Sequence, residues 1–401
     1  MAAASPVPLV LVTGVSGYIA SWTAYYLLLA GYRVRGSVRS LAKARAGFLS
    51  ALAPGAAHTL ELVEADLLAP ASWAAAVRGC DYVLHIASPF VLEEPARAEE
   101  LTRPAVEGTL AVLRACAAAQ PTPKRVVVTS SVAAVAYGHA SKPPSHIYTE
   151  ADFTDPSGPG VSAYIASKAL AERAAWELHS GLAAANSFEL VTVNPVFVLG
   201  PTLSVDSASG SLELVQKFFT SPIPAMPAVP FNFVDVRDVA LLHIAAMRSP
   251  AAAGKRFLAS GVDTTLDALG PPLSAALRPL GFKTVSGRVP RWVLTLSSPF
   301  LADARLALRN LDAPKRVCAA AAEALIGNGF KFNADAGAMA LALAKCMIAA
   351  GKVRDCSAGA ALSAGRSEED RRGMTHPPPH PALAHLRAET DWVVTHDLVG
   401  Q

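Results

Sequence analysis

The chain has 401 residues, 52% hydrophobic and 17% charged, with a net charge of +3 at pH 7; that is enough to bury a large core in one large or two moderate domains, and too apolar for general disorder. It contains no basic block interleaved with aromatics, so a nucleic-acid partner is not expected. Cys80, Cys116, Cys318, Cys346 and Cys356 lie far apart without CxxC or His/Cys ligand spacing, which reads as reduced thiols with neither a disulfide framework nor a metal site.

The opening MAAASPVP carries no charged n-region and no apolar h-region, so a cytoplasmic location is expected. Strands are then predicted over Leu9–Thr13, Arg33–Val38, Leu60–Ala65, Tyr82–Ile86, Arg125–Thr129 and Leu190–Asn194. Helices are predicted between them, over Ser16–Ala30, Leu41–Ala51, Ser72–Val77, Ala98–Ala119 and Val161–His179. Several strands are apolar throughout, as strands covered on both faces are. This alternation predicts an α/β fold, a doubly wound parallel sheet of Rossmann type built from right-handed βαβ units.

The first strand leads into Val12-Thr-Gly-Val-Ser-Gly-Tyr-Ile-Ala20, a GxxGxxA turn that opens directly into a helix. Gly14 permits the tight turn, Gly17 lets backbone approach a pyrophosphate, and Ala20 allows close helix–sheet packing. The helix start supplies N–H groups and partial positive charge, so Gly14, Ser16, Gly17, Tyr18 and Ile19 form a candidate dinucleotide site. At the end of the second strand, enzymes that use NAD place an Asp or Glu against the ribose 2′-hydroxyl. Here the residues are Arg35-Gly-Ser-Val-Arg39-Ser, followed by Lys43. Arg39 can grip a 2′-phosphate through its fork and Lys43 can add a point charge, so the expected cofactor is NADP(H). Asp66, with Leu67 beside it, closes the third strand, where it can accept from the adenine amino group or cap the following helix.

The fifth strand ends in Thr129-Ser130-Ser131, hydroxyls placed where open α/β sheets bind ligands. Tyr164-Ile-Ala-Ser-Lys168 follows on a helix, and a spacing of four puts both side chains on one face. A free tyrosine titrates near pH ~10. An ammonium nearby, joined by a positive nicotinamide in the oxidised complex, favours the phenolate. The pair therefore points to proton exchange at a carbonyl, with one of the two serines orienting it and Lys168 also holding ribose hydroxyls.

From Gly200 the pattern changes: proline is frequent through Pro222–Pro230, short strands are expected over Phe231–Val236 and Arg256–Ala259, and a last helix over Ala336–Ala350. Ala338 to Ala350 is short and carries Lys345, which predicts a packed helix and no membrane span. The expected organisation is a cofactor domain over 1–200 with a returning segment 231–260, and a substrate lobe over 201–230 and 261–355. Residues 356–401, with SEEDRR, HPPPHP and Trp392, read as an irregular tail.

In this order VTGVSGYIAS, VRGSVRS, EADL, HIASPF, RPAVEGTLAVLRAC, KRVVVTSSVAAV, YIASKALAERAAWE, TVNPVFVLGP and FVDVRDVALLHI resemble the extended short-chain dehydrogenase/reductase family. Within it, the likeness is to the dihydroflavonol reductase-like group, which includes cinnamoyl-CoA reductases and fungal aldehyde and methylglyoxal reductases; it runs from about Pro8 to Val353. The resemblance selects Ser131 over Ser130 and implies a catalytic set of Ser131, Tyr164 and Lys168. It also implies that His85-Ile-Ala-Ser88 lines the cofactor cleft, with backbone at Ala87 and Ser88 near the ribose. Pro195, Val196 and Val198 would pass the nicotinamide, and Asp235 and Asp238 would be structural. Ala136 stands where flavonoid reductases usually carry Asn, and SAYIASK lacks the NWYCYGK of cinnamoyl-CoA reductases. A general aldehyde or ketone reductase is therefore expected, with a small-molecule partner, as monomer or homodimer. Its pocket is expected to be shaped by the Pro-rich stretch and by Arg291-Trp-Val. The rival readings are a nucleotide-sugar epimerase or dehydratase, a 3β-hydroxysteroid dehydrogenase-like enzyme, and a non-catalytic NADPH sensor.

Overall fold

Strand Leu9–Val12 carries four fully apolar, buried residues and pairs on both sides, which fixes it at the centre of a sheet. The computed structural model describes residues 6–353 apart from 46, 90–96, 208, 222 and 312–313. Seven parallel strands are present: Leu9–Val12, Arg33–Val38, Glu61–Glu64, Tyr82–His85, Arg125–Thr129, Glu189–Pro195 and Arg256–Ala259. Counted in chain order, they lie 3-2-1-4-5-6-7 across the sheet. The order reverses between the first strand and the fourth, and the crevice at their carboxyl ends is where a doubly wound sheet takes a ligand.

Each face is covered by helices. On one side the Tyr18–Leu29 helix, ten of whose twelve residues are buried, packs with the Val236–Arg248 helix around Trp22, Tyr26 and Leu241. On the other, the Glu99–Ala118 and Ala163–Ser180 helices pack with Trp73, Leu113, Val126 and Leu190. Gly36 makes the first face possible: a Cβ there would lie 2.5 Å from Val15 Cγ1, so the cofactor turn can rest on the second strand only over a bare backbone.

The expected strands and helices are present with small boundary shifts and two corrections. Leu41–Ala51 is not one helix; it is a short helix over Leu41–Arg45 and a 3₁₀ turn over Phe48–Ala51. Of the segment expected to return to the main sheet, Arg256–Ala259 does so beside Glu189–Pro195. Pro230–Asp235 pairs instead with Phe197–Leu199 and Val262–Thr265 in a separate three-stranded sheet. Asp235 ends that strand because its carboxylate accepts from Arg237 N and so caps the helix that begins at Val236. This sheet shares a second core with the Gly210–Thr220, Gly270–Leu277 and Ala336–Ala349 helices, around Phe218, Phe233, Leu273 and Leu343. The expected tail, including Trp392, lies outside the described residues.

Candidate active site

The cofactor turn is held by a small polar network. Thr13 Oγ1 accepts from the N–H groups of Ile86 and Ala87, both at 2.9 Å, and lies 3.0 Å from Nδ1 of buried His85. With its lone pairs taken, the Thr13 hydroxyl donates its proton to His85, which must then be neutral. Burial and the nearby Lys168 ammonium lower the His85 pKa to about 3, consistent with that assignment. Gly14 has φ +62°, and a Cβ there would stand 3.0 Å from Ala87 Cβ. The Gly14 N–H donates to Ser37 Oγ at 2.9 Å. Gly17 caps the Tyr18–Leu29 helix without a side-chain bond, so the first-turn N–H groups stay available to an anion. This bare, positively polarised cradle fits a dinucleotide pyrophosphate.

The candidate cofactor residues fill different parts of the crevice. The Tyr18 side chain is committed elsewhere, its hydroxyl donating to Gly200 O at 2.5 Å, which leaves its backbone for a ligand. Ser16 is exposed, its carbonyl accepting from Ser207 Oγ at 2.6 Å, and Ile19 is half-buried. Arg39 and Lys43 are exposed at the carboxyl end of the second strand, with no ion pair among the described residues. The nearby Glu64 carboxylate accepts from Leu41 N at 3.1 Å. Asp66 Oδ1 accepts from Leu68 N at 2.8 Å, and Leu67 packs over Gly108. Ala87 faces the glycine turn, and Ser88 Oγ accepts from Lys168 Nζ at 2.7 Å. Pro195 ends the sixth strand and Val196 follows it, both buried, with Val196 N donating to Ala259 O at 3.0 Å, whereas Val198 is half-buried.

Ser131, Tyr164 and Lys168 come together. Ser131 lies two residues past the fifth strand, still extended at φ −163°, and its hydroxyl accepts from Ala133 N at 3.1 Å. Ser162 caps the Ala163–Ser180 helix, which carries the candidate catalytic pair, through Ile165 N, and this places Tyr164 in the first turn and Lys168 one turn later. The Lys168 ammonium lies 5.6 Å from the Tyr164 ring centroid. Burial raises the Tyr164 pKa, while a hydrogen bond with Ser131 pulls it down. Tyr164 nonetheless leaves 38% of its surface open. The two facts agree if the ring faces the cleft while its hydroxyl end is crowded by protein. The lowered value expected from the lysine is therefore not present in the protein alone, because desolvation outweighs the pull from Ser131. The same burial lowers Lys168 to about 8.

Beneath these groups lies a network that spacing did not reveal. Glu172, on the catalytic helix one turn past Lys168, is buried and accepts from Ser130 Oγ at 2.5 Å, Asn194 Nδ2 at 2.6 Å and Arg256 Nε at 2.6 Å. Asn194 Nδ2 also donates to Ser131 O at 3.2 Å. Adjacent serines thus diverge, Ser130 turning into the core and Ser131 toward Tyr164. A glutamate one turn past Lys168 in an Ala-rich helix was the available signal for Glu172; nothing in the sequence marked Arg256 as its partner. Trp292, expected at the pocket, is 65% exposed. Among the described residues no cluster of His, Cys, Asp or Glu could hold a metal, and no helix is long and apolar enough to cross a membrane.

Residues 10–259 match the NAD dependent epimerase/dehydratase family. The chain belongs to that family. Over 258 residues it is 39% identical to cinnamoyl-CoA reductase CAD2 of Medicago truncatula, covering 63% of this chain and 76% of the relative. It also resembles the crystal structure of Gre2 from Candida albicans in complex with NADPH, with TM-score 0.68 and 25% identity over 85% of this chain and 98% of that one. Yeast methylglyoxal/isovaleraldehyde reductase Gre2, complexed with NADPH, gives TM-score 0.66 and 27% identity over 83% and 96%.

Proposed function

We propose that the protein is an NADPH-dependent oxidoreductase that reduces an aldehyde or ketone to the alcohol. The observation that carries this reading is the convergence of Ser131, Tyr164 and Lys168 at the carboxyl edge of the sheet beside the glycine turn, with the Lys168 ammonium 5.6 Å from the Tyr164 ring centroid and Ser131 near enough to lower the Tyr164 pKa. Bound NADPH supplies the hydride. Ser131 and Tyr164 hold the carbonyl oxygen, and Tyr164 delivers the proton as negative charge develops there. Lys168 keeps positive charge beside the phenolate left behind. The cofactor choice rests on Arg39 and Lys43, two exposed cations where a 2′-phosphate would lie. Reductases among the relatives and NADPH in the Gre2 structures support the same reading. Free thiols at Cys80, Cys116, Cys318 and Cys346 agree with work in a reducing compartment such as the cytoplasm.

The test is cofactor oxidation followed by absorbance, with NADPH and NADH, over a panel of aldehydes, ketones, sterols and nucleotide sugars. NADPH-driven reduction of a carbonyl compound that vanishes in Tyr164→Phe is expected. Turnover of a nucleotide sugar without net NADPH consumption would replace this reading with an epimerase or dehydratase. Tight NADPH binding with no turnover of any panel member would replace it with a sensor.

A further inference from the structure

A second group of charged and aromatic side chains adjoins Tyr164. Strands Ile147–Tyr148 and Arg316–Val317 pair in parallel, and Cys318 N donates to Tyr148 O at 2.9 Å. This ladder brings Lys315 over two rings, its ammonium 5.5 Å from the Tyr137 centroid and 5.7 Å from that of Tyr148. Tyr137 lies six residues past Ser131, on the loop that packs along the catalytic helix. Its N–H donates to Thr154 Oγ1 at 3.1 Å, and Thr154 O accepts from Arg173 of that helix at 2.7 Å. Burial, with Tyr164 and Tyr148 nearby, raises the Tyr137 pKa.

Of the two lysines around these rings, Lys142 pairs with Asp152 and Lys315 pairs with no carboxylate among the described residues. Lys142 lies 5.3 Å from the Tyr148 centroid, and His139 and His146 pack against the same ring. Among the described residues the carboxylate beside them is Asp152, and it is already bonded by Lys142, by His146 at 3.2 Å and by Thr149 N at 2.8 Å. Glu150 is turned to Leu258 N at 3.1 Å. Lys315 therefore has no carboxylate and no hydrogen-bond acceptor among the described residues. Burial also lowers its pKa, so the ammonium is held partly stripped of water against ring faces, which attract it less than an anion would.

We propose that Lys315, with Tyr137 and Tyr148 beneath it, is a subsite for an anionic group, so that the carbonyl compound reduced here carries a carboxylate several bonds from its carbonyl. This rests on the reductase reading above. Tyr137 neighbours both Lys315 and Tyr164, so the anion is taken to be reached by a chain and not attached to the reacting carbon.

The deciding comparison is kcat/KM for 6-oxohexanoate against hexanal, which differ by the terminal carboxylate. The wild type should favour the oxo acid about tenfold or more, as a charge-assisted contact predicts. Lys315→Gln should collapse that ratio toward one, and Lys315→Arg should restore most of it. A wild-type preference for hexanal, or an equal fall for both aldehydes in Lys315→Gln, overturns the subsite. If neither aldehyde is reduced, the reductase reading is in question, and thermal stabilisation of the NADP⁺-loaded protein by adipate decides the subsite separately. Stabilisation that persists in Tyr164→Phe and disappears in Lys315→Gln supports it; none in the wild type overturns it.

Discussion

Arg256 and Glu172 form a 2.6 Å ion pair with side chains 7% and 1% exposed, joining the edge strand of the main sheet to the helix that carries Tyr164 and Lys168. The guanidinium also donates to Glu150 O at 2.7 Å and Asp152 O at 2.6 Å. The pair thus ties the catalytic helix to the 150–152 segment and, through Asn194, to the Ser131 carbonyl. Removing one partner leaves a buried charge alone. Glu172→Ala should cost about 3–5 kcal/mol in urea unfolding. Glu172→Gln keeps an acceptor for Ser130 or Asn194 and should cost less. An Ala variant as stable as wild type would show that the network carries no stability.

Activity should depend on the Lys168 proton. Its pKa is lowered to about 8 from 10.5, so the ammonium is lost as pH rises through 8. NADPH-driven reduction should therefore fall by one proton's dependence above pH 8. Lys168→Arg, which stays charged, should move that limb upward even if it turns over slowly. A limb unchanged in the Arg variant would assign the proton to another group.

Tyr164→Phe should lower kcat by about 10²–10⁴, the range for loss of a general acid, while NADPH affinity by fluorescence titration changes little. Loss of cofactor affinity with kcat retained would contradict the role given to the hydroxyl.

Arg39→Ala should raise the KM for NADPH by about tenfold or more while leaving NADH nearly unaffected, since a bidentate contact to a phosphate contributes on the order of 1.5–3 kcal/mol. Equal effects on both cofactors would mean that Arg39 does not meet the 2′-position.

Two buried histidines set part of the response to acid. His243 Nδ1 donates to Val239 O at 2.7 Å, and its Nε2 accepts from the Thr129 hydroxyl at 2.6 Å; burial lowers it to about 4, and His85 falls to about 3. Both are neutral when folded and take up protons when unfolded below pH 6.5. The unfolded state then binds more protons, so their contribution is lost as pH falls from 6.5 toward 4 and 3. Asp238, raised by burial to about 7, acts with the opposite sign between 3.8 and 7. His243→Gln should flatten the acid-side decline by up to one proton in a series of urea melts, and an unchanged slope would exclude His243 as a contributor.

Local chemistry made much of the protein legible in its sequence. The glycine turn, the continuous apolar strands and the four-residue spacing of Tyr164 and Lys168 are properties of a few neighbouring residues, and each requires one backbone geometry wherever it occurs. They sufficed for the parallel sheet, the cofactor crevice and the catalytic helix. Distant contacts were decided only by the folded chain. Alternation placed one serine inward, but the side on which Ser130 lies depends on Glu172, 42 residues away. Arg256 and Glu172 are 84 residues apart, and no periodicity relates them. The Tyr164 pKa needed the burial of its hydroxyl, which spacing does not contain. Lys315 reaches the rings of Tyr137 and Tyr148 only because residues 316–317 pair with 147–148. Sequence thus picked out the groups proposed to perform the chemistry, while tertiary structure determined their solvation, their support and the charge surrounding them, because desolvation and ion pairing depend on which distant segments exclude water together.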